Sequence, residues 1–206
     1  MTAQDKILYV ANKLGLTSLK NMQASTGAVY DVDQENSGQI FTSAARHVNP
    51  AVTNLTQNEF EVNEALLVET VGFYLISTEE GPSFVQNFQL IYGSESVLVF
   101  DLIIGNKRVM KQTPVFGSGS PYTFATNGIQ NTSIAPLVAG KSSVVPRHQV
   151  YLEGAGILIP PQIQFSIEYR IFNVVTGAVI PFTNTFENIG CYLFGTRVLL
   201  NFNTSI

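Results

Sequence analysis

The segment Ile163-Gln164-Phe165-Ser166-Ile167-Glu168-Tyr169-Arg170-Ile171 alternates apolar and polar side chains without a break. Successive side chains of a β-strand point to opposite sides of its sheet. Ile163, Phe165, Ile167, Tyr169 and Ile171 therefore share one face, and Gln164, Ser166, Glu168 and Arg170 the other. Such a two-residue period predicts a strand with one face on a core and one toward water, the usual condition in an antiparallel sheet. Pro160-Pro161 precedes this strand, and Thr176-Gly177 turns the chain after it.

The same signal recurs on both sides. Val97 to Ile104 sets Leu98, Phe100, Leu102 and Ile104 on one face, and Gly105-Asn106 makes a tight turn into Lys107 to Val115. Phe84 to Tyr92 alternates, with Gln86 as the polar exception, and Glu59 to Ile76 is rich in Val, Leu and Phe, with Gly72 read as a bulge. Further strand signals cover His148 to Glu153, Ile157 to Ile159, Ala178 to Phe182 and Cys191 to Phe202. Between residues 116 and 146 the period lapses in a stretch whose one charge is Lys141. A connection of that length is expected to be functional or covered by a partner. Short strands, turns between them and one long crossing connection predict an all-β fold, an antiparallel eight-stranded jelly-roll sandwich. An immunoglobulin-like sandwich fits less well, because the body is too long and no Cys–Trp–Cys core exists.

Ahead of this body (residues 59–206, with the insertion at about 116–146) lies an extended N-terminal arm, residues 1–58. Thr2 and Asp5 form a capping box, Ile7, Val10, Ala11 and Leu14 fall on one face at helical spacing, and Gly15 stops the helix. So short an amphipathic helix is marginal alone and must dock on something. From Asn21 to Asn58 the residues are polar and turn-forming, with a short helix expected near Thr42 to His47.

Hydrophobic residues make up 45% of the 206 and charged residues only 13%, against roughly 25% in an average soluble domain. Few charges are available to cover a surface, which fits a chain whose neighbours cover much of it; a surface of Asn, Gln, Ser and Thr is the alternative. A net charge of −4 argues against a dedicated nucleic-acid binder. No signal peptide or membrane-length apolar run is evident, so synthesis in a host cytoplasm is expected and the Asn54, Asn131 and Asn203 sequons are read as chance.

Chemistry is sparse. Cys191, the single cysteine, sits beside Tyr192, Leu193 and Phe194 and reads as a buried structural thiol. His47 and His148 form no metal motif, and Ser118 and Ser120 lie in a glycine-rich turn without a nearby base. Asp31, Asp33 and Glu35 alternate as calcium ligands do, but Asn36 and Thr42 stand where an EF-hand loop has Gly and Glu. A surface loop is the preferred interpretation, and no cofactor is expected. Glu59, Glu61, Glu64 and Glu69 hold the carboxylates a glycosidase needs, yet the chain has no Trp for a sugar platform. Enzymatic activity is not expected. Lys6, Lys13, Lys20 and Arg46 give the arm a thin basic character suited to weak, non-specific phosphate contact.

As a whole, the plan of arm, helix from Asp5 to Leu14, eight-strand body, insertion and closing strand resembles the single jelly-roll capsid proteins of small icosahedral viruses. Tailless bacteriophages suit the small size and the unused sequons. The resemblance implies a virion location, self-assembly with copies of itself and other capsid proteins, and an arm that lines the shell. It departs from many members in lacking a strongly basic arm. The assembly contacts expected on this basis are the helix residues Ile7, Leu8, Ala11 and Leu14 and the insertion aromatics Phe116, Tyr122 and Phe124. The competing expectation is a trimeric spike or a receptor- or carbohydrate-binding sandwich.

Overall fold

The computed structural model describes residues 1–17, 19, 21–33, 37–42, 52–77, 96–115, 148–152, 154, 156–181 and 187–200. Over these the chain is an all-β sandwich of two antiparallel sheets with one helix, α1 (Ala3–Leu14). The strands are β1 (Gln23–Asp33), β2 (Gln39–Ile40), β3 (Glu64–Ser77), β4 (Ser96–Ile104), β5 (Lys107–Val115), β6 (His148–Tyr151), β7 (Ile157–Ile159), β8 (Phe165–Asn173), β9 (Val179–Ile180) and β10 (Glu187–Leu199). Sheet A runs β1-β10-β3-β6, with β7 also on β3; sheet B runs β2-β8-β4-β5, with β9 on β8.

The strand pairs nest. β4 pairs with β5, β3 with β6 and β7, β2 with β8, and β1 with β10, so each pair encloses the one before it in sequence. The chain is in effect one long antiparallel ribbon doubled back at Gly105-Asn106. Successive pairs lie in opposite sheets, and winding the ribbon brings β10 against β3 and β8 against β4.

The sequence period explains the core directly. In β8, Phe165, Ile167, Tyr169 and Ile171 are all buried, and in β4 Leu98, Phe100 and Leu102 are. They meet Leu66, Val68, Val71 and Phe73 of β3 and Ile189, Cys191 and Leu193 of β10 across the sandwich. Phe73 and Phe100 pack with ring centroids 5.1 Å apart, and Phe165 lies 5.2 Å from Phe41 and 5.5 Å from Phe60. Ile163 falls outside the strand and is exposed.

Three features differ from the sequence expectation. First, the polar stretch that the sequence assigns to an arm supplies β1 to sheet A and β2 to sheet B. Its period was hidden because the inward positions include carboxylates: Asp31 and Asp33 are each only 2% exposed. Asp33 Oδ1 accepts from the Ser37 N–H and hydroxyl, and its Oδ2 from the N–H groups of Gly38 and Gln39 and from the Tyr169 hydroxyl. Asp31 Oδ2 accepts from the Phe41 N–H at 2.8 Å. The two carboxylates thus hold the β1–β2 connection rather than standing on a surface loop. Second, the bulge of β3 is at Glu69, where the β10 register slips between Phe194 and Gly195, and Gly72 is in regular register opposite Tyr192. Third, α1 docks within its own chain. The capping box forms, with Asp5 N–H donating to Thr2 Oγ1 and Thr2 N–H to Asp5 Oδ2, and Gly15 at φ 70° closes the C-terminus. Val10 then buries against Ala65, Leu67, Val198 and Leu200 on the outer face of sheet A, with Tyr9 and Leu14 packed beside it. This accounts for the unbroken apolar run Ala65-Leu66-Leu67-Val68: alternate residues serve the sandwich core and the helix, so both faces of β3 are dry along this run. The expected strand at 84–92, the helix at 42–47 and the insertion at 116–146 lie outside the described residues.

Candidate interaction surface

α1 covers one half of the outer face of sheet A. The other half is paved with aromatic side chains. Tyr30, Tyr192, Gly72 and Gln149 stand in register across β1, β10, β3 and β6, and Ala28, Phe194, Thr70 and Tyr151 form the neighbouring row. Val32, Gly190 and Tyr74 form the row on the other side.

The two glycines make this surface flat. A Cβ on Gly72 would lie 2.2 Å from Tyr192 Cζ, and one on Gly190 would lie 2.3 Å from Tyr74 Cζ. Each tyrosine ring therefore lies down over the glycine of the adjacent strand, where any side chain would push it off. The two rings are neighbouring tiles, 6.4 Å apart between centroids and inclined by 29°. The sequence basis is a repeated Gly-x-Tyr, Gly72-Phe73-Tyr74 and Gly190-Cys191-Tyr192, which antiparallel pairing sets glycine against tyrosine in both directions. That repeat is readable in advance, but it acquires meaning only once the register is known.

Hydrogen bonds tie the polar edge of the floor. Gln149 Nε2 donates to Tyr192 Oη, and Tyr151 Oη donates to Gln149 Oε1 at 2.7 Å. Tyr151 is 64% and Phe194 41% exposed, whereas an apolar ring of this size is ordinarily covered. Lys6 of α1 marks the boundary with the helix-covered half; it pairs with Glu69 and donates to Thr196 Oγ1 at 3.1 Å. The surface is neutral, flat, aromatic and edged with amide and hydroxyl groups. Such chemistry suits stacking and contact with another neutral surface rather than phosphate binding.

Of the expected contact residues on α1, Ala11 is buried, Ile7 and Leu14 are partly covered, and Leu8 is 46% exposed. Phe116, Tyr122 and Phe124 lie outside the described residues, as do Glu35, Lys20, Arg46 and His47. Lys13 Nζ lies 5.7 Å from the centroid of the Tyr9 ring. Glu64 pairs with Arg197 and Glu69 with Lys6, so these two carboxylates are committed to different cations and do not face each other as a pair. Arg108, on the outside of sheet B, pairs with Asp101 and Glu168. Among the described residues no group of three His, Cys, Asp or Glu side chains is placed to hold a metal ion, and no helix is long and apolar enough to cross a membrane.

Burial pushes the Tyr169 phenol upward, with Asp33 adding to the effect, and burial followed by Cys191 and Asp31 does the same for Tyr74. Burial, then Asp31, also raises the Cys191 thiol, which leaves it protonated and unreactive. In the unfolded chain these phenols release their protons near 10.0 and the thiol near 9.0, while the folded chain retains them. The resulting stability is complete below pH 9 and is lost as pH rises beyond it. Urea midpoints are therefore expected to fall between pH 8.5 and 11 (by roughly the slope that linkage sets), and Tyr169→Phe is expected to flatten the fall. Equal midpoints for the wild-type protein across that interval would contradict the burial assigned to these groups.

No family model, curated protein or solved structure matches the chain.

Proposed function

We propose that this chain is a structural virion protein, a jelly-roll subunit that joins copies of itself into an icosahedral shell around a genome. The observation that carries this reading is the nested ribbon wound across two sheets, β1·β10, β2·β8, β3·β6/β7 and β4·β5. Such nesting across two sheets supports a double-sheet jelly roll, an architecture used by viral capsids and lectin domains. Two properties favour the shell. Charged residues are only 13% of the chain, and the aromatic half of sheet A leaves Tyr151 and Phe194 open. Both are costly for a monomer and expected where neighbours cover the surface. Other capsid proteins are natural further partners. Contact of the N-terminal segment with packaged nucleic acid would be weak, since Lys6 is already paired.

Light scattering with negative-stain microscopy across salt and pH tests the proposal. Uniform shells, or pentamers and hexamers that close into shells, are the expected result. A monomer under every condition would remove the self-assembly reading.

The tyrosine floor itself favours a second reading, a receptor- or carbohydrate-binding sandwich of the trimeric spike type, because flat neutral rings edged by amides also stack on sugars. Here Gly72→Ala is informative: its Cβ meets only the far end of the Tyr192 side chain, which can swing away at modest cost. On a glycan array the wild-type protein is expected to bind and Gly72→Ala to lose binding, with melting temperature little changed. Equal glycan binding by both proteins, or none by either, would dismiss the floor as a sugar platform.

A further inference from the structure

The outer margins of the two sheets are finished differently. In sheet B the marginal strand β5 carries Lys107, Arg108, Lys111 and Pro114, its ladder with β4 slips register, and Gln112 sits at a φ of 44°. Charges, a proline and a bulge are devices by which an edge refuses another strand. In sheet A the marginal strand is β1, paired only with β10 in a register that runs without a slip from Gln23 to Asp33. Part of its free edge is closed. Asn54 Oδ1 accepts from the Tyr30 N–H at 2.9 Å, the Asn54 N–H donates to the Tyr30 carbonyl at 3.3 Å, and Asn54 Nδ2 donates to the Ala28 carbonyl at 2.8 Å. At the other end the Met22 N–H donates to the Leu19 carbonyl at 3.2 Å.

Between these closures lies Gln23-Ala24-Ser25-Thr26-Gly27, with no charge, no proline and no bulge. Backbone groups of a strand alternate sides with a period of two. Since Ala28 and Tyr30 direct their backbone groups away from β10, Ala24 and Thr26 do so too, and among the described residues nothing takes them. Ser25 faces β10 with its backbone, opposite Arg197.

We propose that Gln23–Gly27 is the strand through which two copies of this chain join, pairing antiparallel about a two-fold axis at Ser25. Ala24 of each copy then exchanges both backbone hydrogen bonds with Thr26 of the other, and Ser25 meets its own counterpart in the non-hydrogen-bonded position. The segment suits itself: the residues brought together are small and neutral, whereas two β5 edges would set Lys107, Arg108 and Lys111 against their copies. Its length is also self-limiting, because the next couple would be Met22 with Ala28, and both are already engaged within the chain. The contact is isologous and weak on its own, as one joint among many in a closed assembly is expected to be. It rests on the self-assembly proposed above and names the surface that carries one of its contacts.

The test is Ser25→Cys in the full chain. In a non-hydrogen-bonded antiparallel couple the Cα atoms lie about 4.5 Å apart, within disulfide reach. Cys191, the sole native thiol, is fully buried, so the introduced thiol is the reactive one. Mild oxidation is expected to convert most of the chain into a disulfide-linked dimer, with Gln23→Cys, off the axis, remaining uncrosslinked. Thr26→Pro removes an outward N–H without touching the β10 ladder and is expected to shift sedimentation to smaller species at nearly unchanged melting temperature. Failure of Ser25→Cys to crosslink while wild-type protein still assembles would overturn this edge and leave self-assembly standing. A wild-type monomer together with an uncrosslinked Ser25→Cys would overturn both.

Discussion

Phe165→Ala is expected to destabilise the protein by about 3–5 kcal/mol, the usual range for emptying an aromatic position in a packed core. Phe165 is 1% exposed and its ring packs on Phe41 at 5.2 Å and on Phe60 at 5.5 Å. It therefore joins β8 to the segments that flank β2 and β3. Because all three rings are large and β8 is held on both sides by ladders to β4 and β2, the neighbours cannot collapse into the space. For a domain of this size the melting temperature should drop on the order of 10 °C. Phe165→Leu fills more of the volume and is expected to recover more than half of the loss. A Phe165→Ala melting point within a degree or two of the wild-type value would mean that β8 does not pack as described.

The second large effect is expected at Asp33. Its carboxylate accepts hydrogen bonds from Ser37, Gly38, Gln39 and Tyr169 while only 2% of the residue is exposed. Asp33→Ala leaves several donors without an acceptor, and the mostly buried Tyr169 hydroxyl has little access to water. A loss of about 2–4 kcal/mol follows, since an orphaned buried donor costs more than a hydrogen bond contributes. Asp33→Asn keeps the shape and one carbonyl oxygen and should lose less. A double-mutant cycle with Tyr169→Phe separates the contributions: removing the hydroxyl should matter in the wild-type background and hardly at all after Asp33→Ala. Additive effects would place the stabilisation elsewhere. Because β2 is only two residues long, amide exchange at Gln39 and Ile40 should accelerate in Asp33→Ala before the rest of sheet B responds.

Much of the candidate surface was hidden in the sequence for the same reason that β1 was. The residues of α1 were recognised as an amphipathic face needing a partner, and the face is real, but its partner is the chain's own β3 and β10. Amphipathicity states that an apolar stripe will be covered and is silent on what covers it. In β1 the inward positions 31 and 33 are aspartates, so alternation in hydrophobicity misreports alternation in burial. The tyrosine floor depends on Gly72 meeting Tyr192 and Gly190 meeting Tyr74, contacts between strands more than a hundred residues apart in sequence.

What the sequence determined by itself was local and periodic. β4 and β5 match their periodic segments to within a residue, β8 is displaced by two residues at each end, and α1 carries the expected Thr2–Asp5 capping box and Gly15 stop. These follow from side-chain direction and from backbone groups at a helix end, which depend on neighbours a few positions away. Tertiary structure alone decided that β1 closes against β10, that α1 lies on sheet A, that Asp31 and Asp33 go inside, and that Ala24 and Thr26 turn their backbone groups away from β10. Each of these is a matter of which distant backbone groups and side chains meet, and register between remote strands is set by the winding of the whole ribbon rather than by any segment of it.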